Sequence, residues 1–559
     1  MIRLGRYALL GALVLVILYP TAILVYLAFW SSPPGTPGVP TLQRFHDAFT
    51  APGFGRAVVN TAIFAVTKAA LAAVIGGGLA FLVARTDIPA RRTVTALVAA
   101  PFFVPALLTA LAWSIIANPK TGMLNEWLMH LGLSGPLLNI YTIEGMIFQA
   151  TPITAAMFFL LTLGAFKALN PEMEEAAQIC GASRLAMIRT IVIPIMAPAL
   201  TGAAILGLIR GMEAFETPYF LGTPGGIFVL STEIYRYLVL DTPPEPGNAG
   251  AISMSILAVT LLVMLLQWKF LANKSYVTES GRGASNKVMT LGRWRGPIFA
   301  CILIYVALAL GVPLIFLVAG SFTSVFGVFT AAYITTNNWS AVLHNPRLWH
   351  AYFETLLVAF AAGGIAVLVS GTIAYIRIRS TWWGGKVMDA LTWIPWATPG
   401  LVLGLGFLWA AILMPPAINI YGTLQLLIIA FVVTSLPVGA RVMYGSISQI
   451  GPQLEEAARI CGASPVRAVY DVVFRMVRVG AVAAWAVIAY AVIGNLTLPV
   501  LLSAPGTELL SVQLLQIYSR GSTAQAAALA IIILITMGML LLLATLLNRL
   551  LRSNASVSA

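Results

Sequence analysis

Long apolar segments, separated by short polar ones, are the feature that most restricts how this chain folds. Twelve stretches are long and nearly free of charge, near residues 7–30, 57–84, 93–117, 145–166, 188–209, 249–271, 297–320, 351–376, 387–413, 423–444, 472–494 and 523–548. About 20 apolar residues allow a helix to cross the hydrocarbon core of a bilayer. Only 9% of the 559 residues are charged, whereas soluble globular proteins have about 25%. The sequence therefore predicts an all-α polytopic membrane protein with about 12 transmembrane helices.

The basic residues are concentrated in particular loops and indicate an orientation. The loops after the second and sixth apolar segments contain Arg85, Arg91, Arg92, Lys269, Lys274, Arg282, Lys287, Arg293 and Arg295. The loop after the fifth segment is mainly acidic, with Glu213, Glu216, Glu233, Asp241 and Glu245. Because Lys and Arg are enriched on the cytoplasmic side, we expect both termini to be cytoplasmic. The net charge of +13 is then a topology signal, and no nucleic-acid partner is expected.

The second half of the chain repeats the first. The run Glu174–Ser183 returns 281 residues later as Glu455–Ser464, with one substitution. Prolines recur in step as well, with Pro101, Pro105 and Pro218 corresponding to Pro395, Pro399 and Pro499. We predict two halves of six spans, 1–272 and 295–559, joined by a cytoplasmic linker at 273–294. Parallel repeats of this kind are related by a pseudo-two-fold axis along the membrane normal, with the pathway between them.

The repeated run lies on a short predicted helix in each half, over 171–181 and 452–462. Pro171 suits the first helical position of the first copy, and acidic residues follow where the positive end of the helix dipole favours them. Gly181 and Gly462 provide left-handed stops. A capped helix between two spans, on the cytoplasmic side, can act as a rigid lever for a cytoplasmic partner. The alternative is an ordinary amphipathic helix in the membrane interface.

These two helices resemble the EAA motif of ABC-importer permeases, in which Glu-Ala-Ala is followed by Gly and then by an apolar-x-apolar-Pro ending. The first copy is complete through Pro194, whereas the second has Arg475 where the family usually has Pro. The resemblance implies that both helices seat on the ATP-hydrolysing subunits of an importer. The implied docking residues are Glu174, Glu175, Ala176, Ala177, Gly181, Glu455, Glu456, Ala457, Ala458 and Gly462.

The same resemblance implies the assembly in which the chain works. It implies a passive permease subunit, not an enzyme, in the bacterial inner membrane. The implied partners are a homodimer of cytoplasmic ABC ATPase subunits, which hold ATP and Mg²⁺, a periplasmic substrate-binding protein and membrane lipid. No cofactor is expected on this chain. Two permease halves in one polypeptide further resemble the ferric-iron importer subgroup, whose relatives carry polyamines, thiamine, phosphonates or sulfate.

The sequence contains no motif for energy conversion or catalysis. Gly385-Lys386 is followed by Val387 and lacks the first Gly of a phosphate-binding loop, and the four His have no metal-ligand spacing. Two other classes remain open at this point. An ion-coupled secondary transporter also uses two parallel halves, but it does not need two capped cytoplasmic helices. A structural or assembly membrane protein gives no reason for the duplication of these helices.

Two matched segments, residues 213–219 after the fifth span and residues 494–499 after the eleventh, are irregular and interrupted by Pro or Gly, and we call them the first and second gate segments. Irregular backbone near the membrane is tolerated where it is buried in protein or lines a cavity, so we predict that these segments form the outer gate. The candidate pathway residues are Glu213, Glu216, Tyr219, Asn495 and Thr497. Glu213 and Glu216 would offer transient contacts to a cation such as Fe³⁺, to a polyamine, or to a basic surface of a binding protein. In the alternative interpretation, Arg210 pairs with Glu213 across one helical turn.

Overall fold

The computed structural model describes residues 2–32, 35–132, 135, 137–272, 289–324 and 331–557. In this part of the chain, ten continuous helices are long and apolar enough to cross a membrane, namely Leu4–Phe29, Phe54–Arg85, Ile143–Ala168, Leu185–Met212, Pro246–Gln267, Gly292–Ser321, Pro346–Arg379, Leu424–Ser448, Pro465–Ile493 and Thr523–Leu551. Two bent helix pairs, Arg91–Phe103 with Ala106–Ile116 and Trp383–Ala397 with Gly400–Ile412, occupy the places of the third and ninth predicted spans. We number the spans 1 to 12 in chain order, with each bent pair as one span.

The predicted all-α polytopic fold is confirmed, but spans 3 and 9 are not the continuous helices that the sequence predicted. They bend by 92° and 109°. At both breaks the residue before a proline is extended, since Val104 has φ −101° and ψ 121° and Thr398 has φ −103° and ψ 121°. Proline removes a backbone donor and disfavours the helical conformation of the residue before it. The duplicated prolines Pro105 and Pro399 therefore break the same span in each half.

Short helices connect the spans, among them Gln43–Thr50, Met123–His130, Pro171–Ile179, Leu230–Tyr235, Asn337–Leu343, Pro452–Ile460, Pro499–Leu502 and Leu510–Ser519. The repeated helices Pro171–Ile179 and Pro452–Ile460 each end two residues before the predicted end. Gly181 and Gly462 follow in the left-handed conformation, with φ of 83° and 91°. The amide of the next alanine then donates to a carbonyl five residues back, at 2.9 Å and 3.0 Å. This is the helix stop that the sequence predicted.

The chain divides into two compact units, and neither coincides with one half of the sequence. Unit 1 is Met1–Ala48 with Tyr237–Leu257 and Thr336–Ala559, and unit 2 is Phe49–Arg236 with Ala258–Thr335. Span 1 thus packs among the spans of the second half, and span 7 packs among the spans of the first half. The division of the sequence at 272 and 295 remains a prediction about the repeats, and it does not describe the packing.

Small residues allow close packing at these exchanged positions. In unit 1, a Cβ atom at Gly406 of span 9 would come within 2.6 Å of the Pro20 carbonyl oxygen in span 1. In unit 2, a Cβ atom at Gly320 of span 7 would lie 3.3 Å from the Ile115 side chain of span 3. Glycine at a helix contact lets two backbones approach closely, which is how helices gain packing energy in a membrane.

The linker predicted at 273–294 lies outside the described residues over most of its length. Its last residues pair with the loop after span 2, within unit 2. The amide of Met289 donates to the Arg85 carbonyl (2.8 Å), and the amide of Asp87 donates to the Met289 carbonyl (3.2 Å). The Asp87 carboxylate also accepts from the amide of Leu291 (2.8 Å). This end of the linker is therefore held against the end of span 2.

Candidate functional site

The second repeated helix is tied to the end of span 8 by an ion pair. Oε1 of Glu455 accepts a hydrogen bond from Nε of Arg379 (2.7 Å), and its Oε2 accepts one from the Tyr375 hydroxyl (2.9 Å). The side chains of Arg379 and Glu455 are only 15% and 13% exposed. Glu455, which the resemblance implied as a docking residue, therefore faces inward onto span 8. Its neighbour Glu456 is exposed and remains available to a partner.

An arginine at the end of the second span of each half holds the chain just before the repeated helix. Arg379 donates from a terminal guanidinium nitrogen to the Ile450 carbonyl (2.6 Å). Arg85 donates in the same way to the Leu169 carbonyl (3.2 Å). Leu169 and Ile450 are equivalent positions, 281 residues apart. Arg85 and Arg379 are separated by 294 residues, as are Pro101 and Pro395, but the sequence analysis did not predict that these arginines anchor the repeated helices.

The outward faces of the repeated helices combine acidic, small and apolar side chains. In the second copy Glu456, Ala457 and Gly462 are exposed, as are Ala176 and Gly181 in the first copy, while the side chains of Glu174 and Glu175 lie outside the described part of the structure. The last residue of each helix, Ile179 or Ile460, is 86% exposed. Each repeated helix thus has an exposed apolar side chain at the same position of its outward face. The sequence analysis did not single out these isoleucines, although their repetition was a visible signal.

The span that follows each repeated helix contains a π-helical turn near its start. The turns are Ile188–Val192 before Pro194 and Val469–Phe474 before Arg475. Arg475 is exposed and lies 3.8 Å from the Asp471 carboxylate. A π-helical turn is a local widening of the helix that is common at functional sites. The two turns differ in length, with five residues before Pro194 and six residues before Arg475, the residue that replaces the motif proline in the second copy.

Two carboxylates after span 5, Glu213 in the first gate segment and Glu233 in the helix that follows, have arginine neighbours. Arg210 lies 3.5 Å from the Glu213 carboxylate, as the alternative interpretation predicted, and the Glu213 side chain is only 9% exposed. Arg236 likewise lies 2.6 Å from the carboxylate of Glu233 in the short helix that follows. Lys68, buried in span 2, also acts on Glu213 electrostatically. Much of the predicted negative charge of this region is therefore compensated within the chain.

The other predicted pathway residues have structural contacts. Tyr219 packs in an aromatic group, with its ring tilted against Phe215 and edge-to-face against Tyr235, at ring-centroid distances of 5.5 Å and 5.3 Å. Burial is the main cause that raises the pKa of Tyr235, and the neighbouring Tyr219 raises it further, so this phenol stays neutral at physiological pH.

In the second gate segment, the side-chain oxygen of Asn495 accepts a hydrogen bond from the amide of Leu498 (3.1 Å) and so closes the turn. Thr497 is buried. In the described ranges, no three His, Cys, Asp or Glu side chains come together as metal ligands.

A buried chain of hydrogen bonds connects the first gate segment to two spans. The Thr217 hydroxyl donates to Oε1 of Gln149 in span 4 (2.7 Å), and Nε2 of Gln149 donates to the Thr109 hydroxyl in the bent span 3 (2.6 Å). The equivalent positions of the second half are the buried apolar residues Leu403, Ala430 and Leu498. The network therefore exists in one half only. The sequence analysis missed it, although a glutamine inside an apolar span is a functional signal.

Comparisons with known proteins agree with the repeated architecture. The family model for the binding-protein-dependent transport system inner membrane component matches residues 69–270 and 368–556. The ferric transport system permease protein FbpB of Actinobacillus pleuropneumoniae is 28% identical over 348 residues, which cover 61% of this chain and 49% of that protein. The trehalose/maltose transport system permease protein MalF of Thermococcus litoralis is 28% identical, over 41% of this chain and 78% of that protein. The match to FbpB thus spans about half the length of that relative.

One solved structure is similar over part of the chain. It is a bacterial ABC transporter involved in the import of the acidic polysaccharide alginate, with a TM-score of 0.41 and 23% sequence identity. The similar region covers 47% of this chain and 92% of the solved one.

Proposed function

Because the chain belongs to the family of binding-protein-dependent transport system inner membrane components, we propose that it is the transmembrane permease subunit of an ABC importer. In this proposal the chain carries out no chemical reaction. Separate ATPase subunits hold ATP and Mg²⁺ and drive the change between inward-open and outward-open states, while a substrate-binding protein delivers the cargo. The chain lies in the bacterial inner membrane with both termini in the cytoplasm, in agreement with the basic loops after spans 2 and 6.

The observation that carries this proposal is the pair of anchored, equivalent helices. Two identical ATPase subunits need two equivalent contact sites on the permease. The second repeated helix exposes Glu456 and Ile460 for such a contact. Arg379 joins that helix to span 8 by a mostly buried ion pair, so a force on the helix reaches the span. We name Pro171–Ile179 and Pro452–Ile460 the coupling helices for this role.

We propose ferric iron as the cargo. The support is the match over 61% of this chain to a protein named for ferric transport, together with the carboxylates of the first gate segment, which suit a hard cation. Polyamine, thiamine, phosphonate and sulfate remain the other cargoes of this proposal, and the shorter match to a sugar permease indicates that the fold serves several substrates. The arginine beside Glu213 weakens the local argument for a cation.

Uptake by the complete assembly tests the cargo. Proteoliposomes containing the chain, its ATPase subunits and its binding protein would be given labelled Fe³⁺, a polyamine or thiamine, with and without ATP. We expect ATP-dependent uptake of Fe³⁺ alone. Uptake of another compound at a higher rate would refute the iron assignment, and uptake without ATP would refute the importer itself.

Neutral gate variants test whether charge in the first gate segment serves the cargo. In a Glu213→Gln plus Glu216→Gln protein, shape and most hydrogen bonding persist while two negative charges are lost. We expect slower iron uptake with unchanged binding-protein docking and basal ATP hydrolysis, and Glu126→Gln serves as a matched control outside the gate. Loss of docking would instead assign these carboxylates to the protein interface. Unchanged uptake would leave Glu213 as the structural partner of Arg210.

A further inference from the structure

A polar cavity lies at the start of span 8, at the opposite end of that span from Arg379. It has a volume of about 430 Å³ and is formed by unit 1 alone. Two carboxylates, Glu354 and Glu508, line it together with the amide side chains of Gln513 and Gln516. Arginines and a histidine, namely Arg347, His350 and Arg520, also line it, and all three are exposed. The carboxylates and amides are less exposed, so the interior is acidic and the rim is basic.

The corresponding place in the first half is closed by a hydrogen bond. The halves align here through Thr61 and Thr355, whose hydroxyls accept from the amides of Leu230 and Leu510, both at 2.9 Å. One residue before Thr61, the Asn60 amide donates to the Phe228 carbonyl (2.9 Å). In this alignment Glu354 replaces Asn60, and Glu508 replaces Phe228. Glu354 therefore lacks the amide donor that Asn60 offers to the backbone carbonyl of residue 228, and the Phe228 side chain is replaced by a second carboxylate, Glu508.

The two carboxylates are poorly compensated within the chain. The Glu354 side chain is only 12% exposed, and its Oε2 lies 3.4 Å from Nδ1 of His350 without a well-aligned hydrogen bond in the described structure. Oε2 of Glu508 accepts from the Gly506 amide at 3.3 Å and from Gln513 at 3.4 Å, both at the long limit. Glu354 and Glu508 also repel each other electrostatically. A positive charge placed between them would relieve this repulsion, and it would do so more strongly than in bulk water.

We propose that this cavity binds an ammonium or guanidinium group. Such a group brings several N–H donors, and the carboxylate and amide oxygens of the lining offer acceptors for them. A volume of about 430 Å³ is far larger than a bare metal ion needs, and no three metal-ligating side chains come together in the described residues. The exposed arginines at the rim would repel a bare cation, so the occupant carries an acidic or neutral part beside its amine. Two sources share this chemistry: a free amine-containing solute, and a lysine or arginine side chain of a docked protein.

Binding to the purified chain tests the site without any transport measurement. The probes are n-propylammonium, methylguanidinium and, as a cation without N–H donors, tetramethylammonium, measured by calorimetry in detergent. We expect the first two to bind and the third not to bind. Glu354→Gln and Glu508→Gln should each weaken binding by at least about tenfold, the loss expected for one charge-assisted contact. The control Glu126→Gln should bind as the wild type does.

A second variant separates a loss of amine binding from a loss of folding. Glu354→Asn restores the amide that stands at position 60 of the first half, so we expect a folded protein with a closed cavity and no amine binding. Failure of the wild type to bind either N–H probe at millimolar concentration would overturn the proposal. So would equal binding of tetramethylammonium, or unchanged binding by both Glu354 variants.

Measurements on the complete assembly distinguish the two sources of the amine. These measurements rest on the proposed function, in which the start of span 8 lies on the side of the membrane where the binding protein docks. If a docked protein supplies the group, Glu354→Asn reduces stimulation of ATP hydrolysis by the binding protein, and added propylammonium competes with that protein. If a free solute supplies the group, Glu354→Asn leaves this stimulation unchanged and removes only the binding of the amine-containing solute. Failure of the importer hypothesis would leave the calorimetric result unaffected, so the two proposals fail separately.

Discussion

The ion pair between Arg379 and Glu455 predicts how the second coupling helix transmits force. Its two side chains are 15% and 13% exposed, and three hydrogen bonds of 2.6–2.9 Å join Arg379, Tyr375, Glu455 and the Ile450 carbonyl. A hydrogen bond to a charged group contributes about 1.5–3 kcal/mol, and removal of one partner of a buried pair costs about 3–5 kcal/mol. Since this pair is partly accessible, we expect a coupling energy of about 2–3 kcal/mol.

The perturbation is a double-mutant cycle with Arg379→Gln, Glu455→Gln and the two together. A loss of about 2–3 kcal/mol would increase local opening of the coupling helix by about 30- to 150-fold. Hydrogen exchange of the amides in Pro452–Ile460 measures that opening directly, and cargo transported per ATP hydrolysed measures its consequence. Arg377→Gln, two residues away on the same span, is the matched control. We expect the two single variants to resemble each other and the double variant to be no worse than either.

Three outcomes would refute this reasoning. If Arg379→Gln leaves hydrogen exchange and transport per ATP unchanged, the ion pair does not hold the helix. If Glu455→Gln weakens ATPase binding while Arg379→Gln does not, Glu455 contacts the partner directly, as the motif resemblance implied. An additive double variant would likewise exclude a shared interaction.

Three further predictions concern the coupling helices and the first gate segment. Glu175→Arg combined with Glu456→Arg should abolish ATPase association in a folded protein, and wild-type transport by that protein would remove the docking hypothesis. Arg475→Pro should reduce transport less than Pro194→Arg, because the first change restores the proline of the motif and the second removes it from the helix that follows the π-helical turn; equal losses would contradict this. Gln149→Leu should lower the free energy of unfolding in detergent by about 1–3 kcal/mol, because it leaves buried hydroxyls without their partner. A thermal unfolding curve identical to that of the wild type would contradict the last prediction.

Local sequence features predicted the local structure well. Apolar length identified the spans, the glycine after each coupling helix identified its end, and the repeat identified two equivalent helices. Each of these depends on residues close together in the chain, where backbone geometry and helix capping decide the outcome. The prolines Pro105 and Pro399 were visible as repeats, yet the bends of 92° and 109° were not predicted. Proline only permits a break, and packing around the span decides whether the helix kinks slightly or turns sharply.

The tertiary structure alone decided which contacts join distant parts of the chain. The sequence established the class of protein, the duplicated helices and their outward-facing chemistry, because composition and periodicity carry that information. It could not assign span 1 to the second half, since that choice depends on packing between residues such as Pro20 and Gly406, far apart in the chain. Nor could it distinguish Glu455 from Glu456, two adjacent glutamates in the same motif. Only the helical rotation that brings Glu455 to Arg379, 76 residues earlier, makes one an internal anchor and leaves the other exposed.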